Sequence, residues 1–179
     1  MGYSGNDWTL RSDSPEATLA IGRALGRSAE PGLVIALIGP LGAGKTQLVR
    51  GFAEGLEIAD SRLVSSPTFV LIQEYAARLC IYHFDVYRLA TPDEFVALGP
   101  EEYFEREGVC LVEWADRVME CLPGDRLDIQ FAISGTTHRH LALRAMGDRP
   151  NRVLARLKQA AVQPVSIDAK LIAAEPQPD

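Results

Sequence analysis

The chain is poor in cysteine, with Cys80, Cys110 and Cys121 its only thiols among 179 residues. The number is odd and no pair has CxxC spacing, which excludes a disulfide framework and argues against a thiolate zinc site. Free thiols in a reducing compartment are the expectation. Long hydrophobic runs are also missing. The main apolar run, Leu33–Ile38, falls far short of the ~20 residues of a membrane helix. The N-terminus has no basic stretch followed by an apolar one of signal-peptide length. A cytoplasmic protein with no membrane association is expected. Positive charge is in deficit: Lys and Arg number 18 and Asp and Glu 24, a net charge of −6. Phosphate backbones are gripped by clustered positive charge, so such a chain is a poor candidate for holding nucleic acid alone. If RNA is involved, a partner supplies the grip. An apolar content of 47% with 23% charged residues excludes a wholly disordered or collagen-like chain. The length fits one domain of roughly 100–200 residues.

Local patterns divide the chain into alternating helices and strands. Residues 1–7 read as a frayed end, 8–162 as the folded domain and 163–179 as a flexible tail. Trp8–Ser12 suits a short edge strand. Ser14-Pro15-Glu16 starts a helix, with Ser as cap and Pro in the first turn, and Pro31-Gly32 stops it. Leu33–Ile38 is apolar at every position, as in a strand covered on both faces, which predicts a parallel sheet. A helix follows along Leu48, Val49, Phe52, Ala53 and Leu56. Gly51 and Gly55 cost it about 1 kcal/mol each relative to Ala, so close packing on a neighbour is expected there. Thr68–Tyr75 and Leu79–Tyr87 predict an antiparallel pair. Helices are predicted at Thr91–Glu94 and Pro100–Arg106, a strand over Val109–Val112 and a short helix over Ala115–Cys121. Arg126–Ser134 and His138–Met146 form a predicted hairpin, and Arg152–Val162 an amphipathic helix.

Gly39-Pro40-Leu41-Gly42-Ala43-Gly44-Lys45-Thr46 matches G-x-x-x-x-G-K-[ST] at every fixed position. The context is right, with an apolar strand before it and an amphipathic helix after. Gly42 and Gly44 let the backbone turn tightly and approach phosphates without a Cβ in the way. Free N–H groups of the loop and the helix start point at the anion, where the helix dipole favours negative charge. Lys45 supplies a cation for the terminal phosphates, and the Thr46 hydroxyl suits Mg²⁺. Leu41, Gly42, Ala43, Gly44, Lys45, Thr46 and Gln47 are the candidate nucleotide-binding residues. The motif predicts triphosphate binding and leaves hydrolysis, transfer or binding alone open.

Such a loop needs an acidic group for Mg²⁺ and often another to orient an attacking water. Ligands of α/β sheets sit at the carboxyl ends of the strands. Two acids follow apolar strands in this way, Asp85 and Glu113, and the residues leave open which one faces the metal. Asp116 and Glu120 suit a solvated helix face better. His83 with Asp85 makes H-x-D, but His138 and His140 lie in the distant hairpin, so packing or hydrogen bonding near the nucleotide is expected of His83. Ser65–Phe69 lies where many phosphate-loop proteins carry a nucleotide-sensing loop. Ser66 or Thr68 suits contact with phosphate or Mg²⁺, and a plain turn fits the residues equally. Ser14-Pro15 and the Gly135–Arg139 turn are candidates to border a base.

The ordered set Gly39–Thr46, Ser-Pro-Thr-Phe (66–69), His-Phe-Asp-Val-Tyr-Arg-Leu (83–89), Leu98-Gly99 with Glu102-Tyr103-Phe104, and Leu-Val-Glu-Trp (111–114) resembles the bacterial TsaE family over about residues 8–145. The resemblance implies an α/β, P-loop NTPase-like three-layer sandwich with a parallel core sheet and antiparallel edge strands. It also implies an ATPase needed for threonylcarbamoyladenosine at tRNA position 37, using ATP and Mg²⁺. In that family the implied partner is a TsaB–TsaD heterodimer, whose turnover ATP hydrolysis supports, and tRNA is met only through the complex. Carried over, Lys45 holds phosphates, Thr46 and Glu113 serve Mg²⁺, and Asp85 acts through metal water or by positioning the nucleophile. Trp114 packs near the site or a partner. Two positions depart from the family loop: Pro40 stands where an acid is common, and Gln47 where a second Thr is common. Neither supplies an essential ligand. Two other readings stay in view: a small-molecule kinase, although no Arg-rich lid accompanies Arg88 and Arg106, and a nucleotide-dependent binding module without catalysis.

Overall fold

A computed structural model describes residues 7–162. The readings of 1–6 as a frayed end and of 163–179 as a tail lie outside those residues, whereas Asp7 already belongs to the first strand. The strands are β1 (Asp7–Ser12), β2 (Val34–Ile38), β3 (Ile72–Tyr75), β4 (Ile81–Asp85), β5 (Val109–Glu113), β6 (Arg126–Ile133) and β7 (Arg139–Met146). They form one sheet in the order β1-β7-β6-β2-β5-β4-β3. β6, β2, β5 and β4 run parallel, while β7, β1 and β3 join antiparallel at the margins. The helices are α1 (Pro15–Ser28), α2 (Lys45–Gly55), α3 (Pro92–Val96), α4 (Pro100–Phe104) and α5 (Asp148–Val162). None among the described residues is long and apolar enough to cross a membrane.

The two faces follow from side-chain alternation along the strands. Leu33, Ile35 and Leu37 pack with Ile81, Leu111 and Ile129 beneath α1, α2 and α5. Val34, Ala36, Phe84 and Val112 face the other way, onto α3 and the Ala115–Leu122 segment. The aromatic rings of Phe95 and Tyr103 meet Phe84 edge-on at 5.9 and 5.4 Å. The result is the predicted three-layer arrangement. Ser14 caps α1, its side chain accepting from the Ala17 N–H.

α1 and α2 are in backbone contact. A Cβ on Gly51 would overlap the carbonyl oxygen of Leu19, and one on Gly55 that of Arg23. Gly22 and Gly26 of α1 reciprocate against Leu48 and Phe52 of α2. The propensity cost of glycine inside these helices is offset by an approach that no side chain would permit.

Several predicted elements are shorter or of another kind. Thr68–Leu71 is a turn, and strand begins only at Ile72. The Val70 and Leu71 amides both donate to the Pro67 carbonyl, which rolls the chain over, with Leu71 at φ 67°. Ala115–Cys121 is two 3₁₀ turns rather than an α-helix. Thr91 makes no side-chain cap; Glu94 instead accepts from the Ala90 N–H at 2.8 Å. α5 begins at Asp148, four residues before the predicted Arg152.

All three thiols are free, as the composition implied. Cys110 is buried in β5 and donates to the Tyr103 carbonyl at 3.4 Å. Burial pushes its thiol up to about 12. The thiolate is the reactive form, so Cys110 stays inert near about pH 8. Titration with a thiol reagent is expected to count at most two sites in the folded protein, Cys80 and Cys121, and three after unfolding. Three fast sites in the native state would mean that β5 opens.

Candidate nucleotide site

The polypeptide leaves β2 towards α2 on one face of the sheet and leaves β5 towards Ala115 on the other. A crevice therefore opens at the carboxyl ends of β2 and β5, the place where ligands bind in open α/β sheets. It is a cleft of about 460 Å³ lined by Leu41–Gln47, Ser66, Thr68, Asp85, Tyr87, Glu113 and Trp114. The phosphate-loop residues Leu41–Gln47 and both strand-end acids, Asp85 and Glu113, converge on it.

The loop has the backbone the motif demands. Gly42 and Gly44 take φ 74° and 99°, values costly to residues with a Cβ. Gly44 is the N-cap of α2 and has no side chain to cap the first turn. The N–H groups at a helix start have no intrahelical acceptor, which suits those of Lys45, Thr46 and Gln47, residues that line the cleft, to an anion. Lys45 is 4% exposed. Its Nζ donates to the Gly39 and Pro40 carbonyls at 2.7 and 3.0 Å. It also lies 3.6 Å from the Trp114 ring centroid. Burial lowers the Lys45 pKa, against the pull of Glu113, Asp116 and Asp85 in the other direction.

The two carboxylates are neighbours by register, Asp85 opposite Glu113 on parallel β4 and β5. Each is buried and each is held differently. Glu113 accepts from the Thr46 hydroxyl at 2.8 and 3.1 Å. Its Oε1 lies 2.9 Å from His83 Nε2. Asp85 accepts from the Ser66 hydroxyl, from Thr68 at 2.9 Å and, through its other oxygen, from the Tyr87 N–H at 3.0 Å. The Ser66–Thr68 loop is thus tied to an acid of the cleft. Asp116 and Glu120 are exposed, as expected.

The donor set fits Mg²⁺. Among the described residues no three His, Cys, Asp or Glu side chains are grouped to hold a metal unaided. Thr46, Glu113 and Asp85 offer hard oxygen ligands, and Mg²⁺ commonly takes one or two carboxylates and completes its shell with water and substrate phosphate. Among the described residues Lys45 is the only cationic side chain lining the cleft. A polyphosphate beside two carboxylates needs more positive charge than one ammonium supplies, and a divalent cation provides it.

Three further features surround the cleft, of which the Arg139 contact with Gly42 lies beyond what the residue pattern indicated. Trp114 sits at φ 62°, a left-handed conformation that turns its ring under Lys45 and against Tyr87, with centroids 4.7 Å apart. Arg139 donates to the Gly42 carbonyl at 3.1 Å and to the Gly135 carbonyl at 3.0 Å, strapping the β6–β7 hairpin to the phosphate loop. Beside this strap is a smaller cleft of about 140 Å³ between Pro15, Thr18, the loop and Thr136, Thr137 and Arg139. The α1 start and the hairpin turn do border the loop, although nothing in their composition required them to meet.

A family model described as threonylcarbamoyl adenosine biosynthesis protein TsaE matches residues 12–141. The Bacillus subtilis tRNA threonylcarbamoyladenosine biosynthesis protein TsaE is 48% identical over 140 residues, 78% of this chain and 86% of that protein. Its Treponema pallidum counterpart is 39% identical over 132 residues, 74% and 96% of the two chains. The crystal structure of Bacillus subtilis YdiB superposes with a TM-score of 0.77 at 38% identity, covering 89% of this chain and 99% of that one. The matched segment runs from the end of β1 into β7 and contains every residue lining the larger cleft; the chain belongs to the TsaE family, whose named relatives are proteins of tRNA threonylcarbamoyladenosine biosynthesis.

Proposed function

We propose that this protein binds Mg–ATP in the larger cleft and hydrolyses it, and that hydrolysis supports turnover of a TsaB–TsaD heterodimer during threonylcarbamoyladenosine formation at tRNA position 37. The observation that carries the reading is the convergence of a phosphate loop with two strand-end carboxylates, one of them hydrogen-bonded to the loop threonine. Lys45 and the amides of Gly42–Thr46 bind the phosphate chain. Thr46 and Glu113 hold Mg²⁺, with Asp85 beside them. When bound, Mg²⁺ neutralises phosphate charge and polarises the γ-phosphoryl group. Asp85 orients a water for in-line attack. A bond forms from the water oxygen to the γ-phosphorus, the bond to the β–γ bridging oxygen breaks, and ADP and inorganic phosphate leave. The smaller cleft takes the base and ribose. A net charge of −6 and a single cation in the cleft among the described residues suit a subunit that meets tRNA only through its partners.

Calorimetry with Mg–ATP and phosphate release with and without the heterodimer test the proposal. Heat with Mg–ATP, slow release alone and faster release with the partners are expected. Binding without release in the assembled complex would leave a nucleotide-dependent binding module instead. Asp85→Asn and Glu113→Gln keep the side-chain shape and remove the charge. Each is expected to slow release by about 100-fold or more, in line with the loss of a group that positions or stabilises the reacting atoms. Full activity of either in the complex would remove that residue from the mechanism.

A further inference from the structure

His83 lies in β4, fully buried, on the face turned towards α2. Its Nε2 is 2.9 Å from Glu113 Oε1. An ionised carboxylate only accepts, so Nε2 carries the proton and the imidazole donates. Nδ1 has no hydrogen-bond partner among the described residues. An orphaned buried polar atom is a cost that an apolar residue would not incur. A histidine kept for packing alone would carry that cost for nothing. The compensation lies at the other nitrogen. Among the described residues Glu113 has two side-chain donors, Thr46 from the start of α2 and His83 from the neighbouring strand. Thr46 reaches both carboxylate oxygens, at 2.8 and 3.1 Å, and so does not by itself choose between them. His83 bonds Oε1 alone and fixes how the carboxylate is turned.

We propose that His83 is a positioning residue: through Nε2–H to Glu113 Oε1 it holds that carboxylate in the orientation that receives the divalent cation of Mg–ATP beside Thr46. The inference rests on the Mg–ATP reading above and adds to it the residue that aims the acid. His83 touches neither nucleotide nor water in this assignment.

The test is calorimetry of ATP binding to the full chain in EDTA and in Mg²⁺, for the unaltered protein, His83→Leu and His83→Gln. The leucine variant is expected to bind ATP in EDTA as the unaltered chain does. Its Mg²⁺-dependent gain in affinity should fall about 10–100-fold, the usual cost of losing a group that orients a metal ligand. Glutamine places an amide N–H near the position of Nε2 and is expected to recover most of the gain. A merely structural role would instead lower affinity equally in EDTA and Mg²⁺, and glutamine would not restore it. Either that pattern or a full Mg²⁺ gain in His83→Leu overturns the assignment. Should the leucine variant fail to fold, His83→Asn replaces it, because its shorter amide does not reach Oε1; asparagine retaining the full gain overturns the assignment as well. Absence of any Mg²⁺ gain in the unaltered chain overturns the Mg–ATP reading and this one together, and is told apart by appearing without mutation.

Discussion

Lys45→Ala is expected to weaken Mg–ATP binding by at least about 100-fold, with hydrolysis lost in parallel. Charge-assisted hydrogen bonds are worth about 1.5–3 kcal/mol each, and 1.4 kcal/mol is a factor of ten in affinity. Among the described residues Lys45 is the only cationic side chain lining the cleft, so none of them takes over. Its position in the structure makes the expected loss specific to binding. The ammonium is buried against two carbonyls and the Trp114 ring, and among the described residues it makes no ion pair. Burial works against its charge and the nearby acids work for it. Removing it therefore takes away two charge-assisted hydrogen bonds together with the desolvation cost that offsets them. The melting temperature is expected to stay within about 3 °C of the unaltered chain, since 1 kcal/mol moves a protein of this size by roughly 2–4 °C. Unchanged heat with Mg–ATP in folded Lys45→Ala would remove the phosphate-loop assignment.

Gly51→Val is expected to cost about 3 kcal/mol or more, the upper end of the range for overpacking, and to lower the melting temperature by roughly 6–12 °C. The Cβ would meet the Leu19 carbonyl, and backbone cannot step aside as a side-chain tip can. The helices must part, and α2 begins with Lys45 and Thr46, so the displacement reaches the cleft from its far end. Nucleotide affinity should fall with stability, unlike in Lys45→Ala. Gly124→Ala is the control. A Cβ there meets nothing within 4 Å, and an effect within about 0.5 kcal/mol is expected. Equal melting of the two variants would disprove the close contact of α1 and α2.

The element types were largely legible, because period and punctuation report what the backbone does locally. The uniformly apolar Leu33–Ile38 matched a strand with parallel neighbours on both sides and two covered faces. Gly51 and Gly55 announced close packing without saying against what. A turn was readable at Ser65–Phe69 but not its reach to Leu71, since beside the local bonds to the Pro67 carbonyl the Asp85 carboxylate holds Ser66 and Thr68 from another strand. Two 3₁₀ turns in place of a helix after β5 were hidden as well, because Trp114 turns left-handed only where its ring finds Lys45 and Tyr87.

Residue order alone determined the phosphate loop, the pair of strand-end acids and the sandwich that displays them, for these rest on spacing along one chain. Tertiary structure decided how the acids divide their partners. Glu113 meets Thr46 and His83, while Asp85 holds the Ser66–Thr68 loop, because two parallel strands in register bring residues 28 apart in sequence side by side. That pairing follows from which strand lies beside which in the sheet, and hydrophobic periodicity contains no record of it.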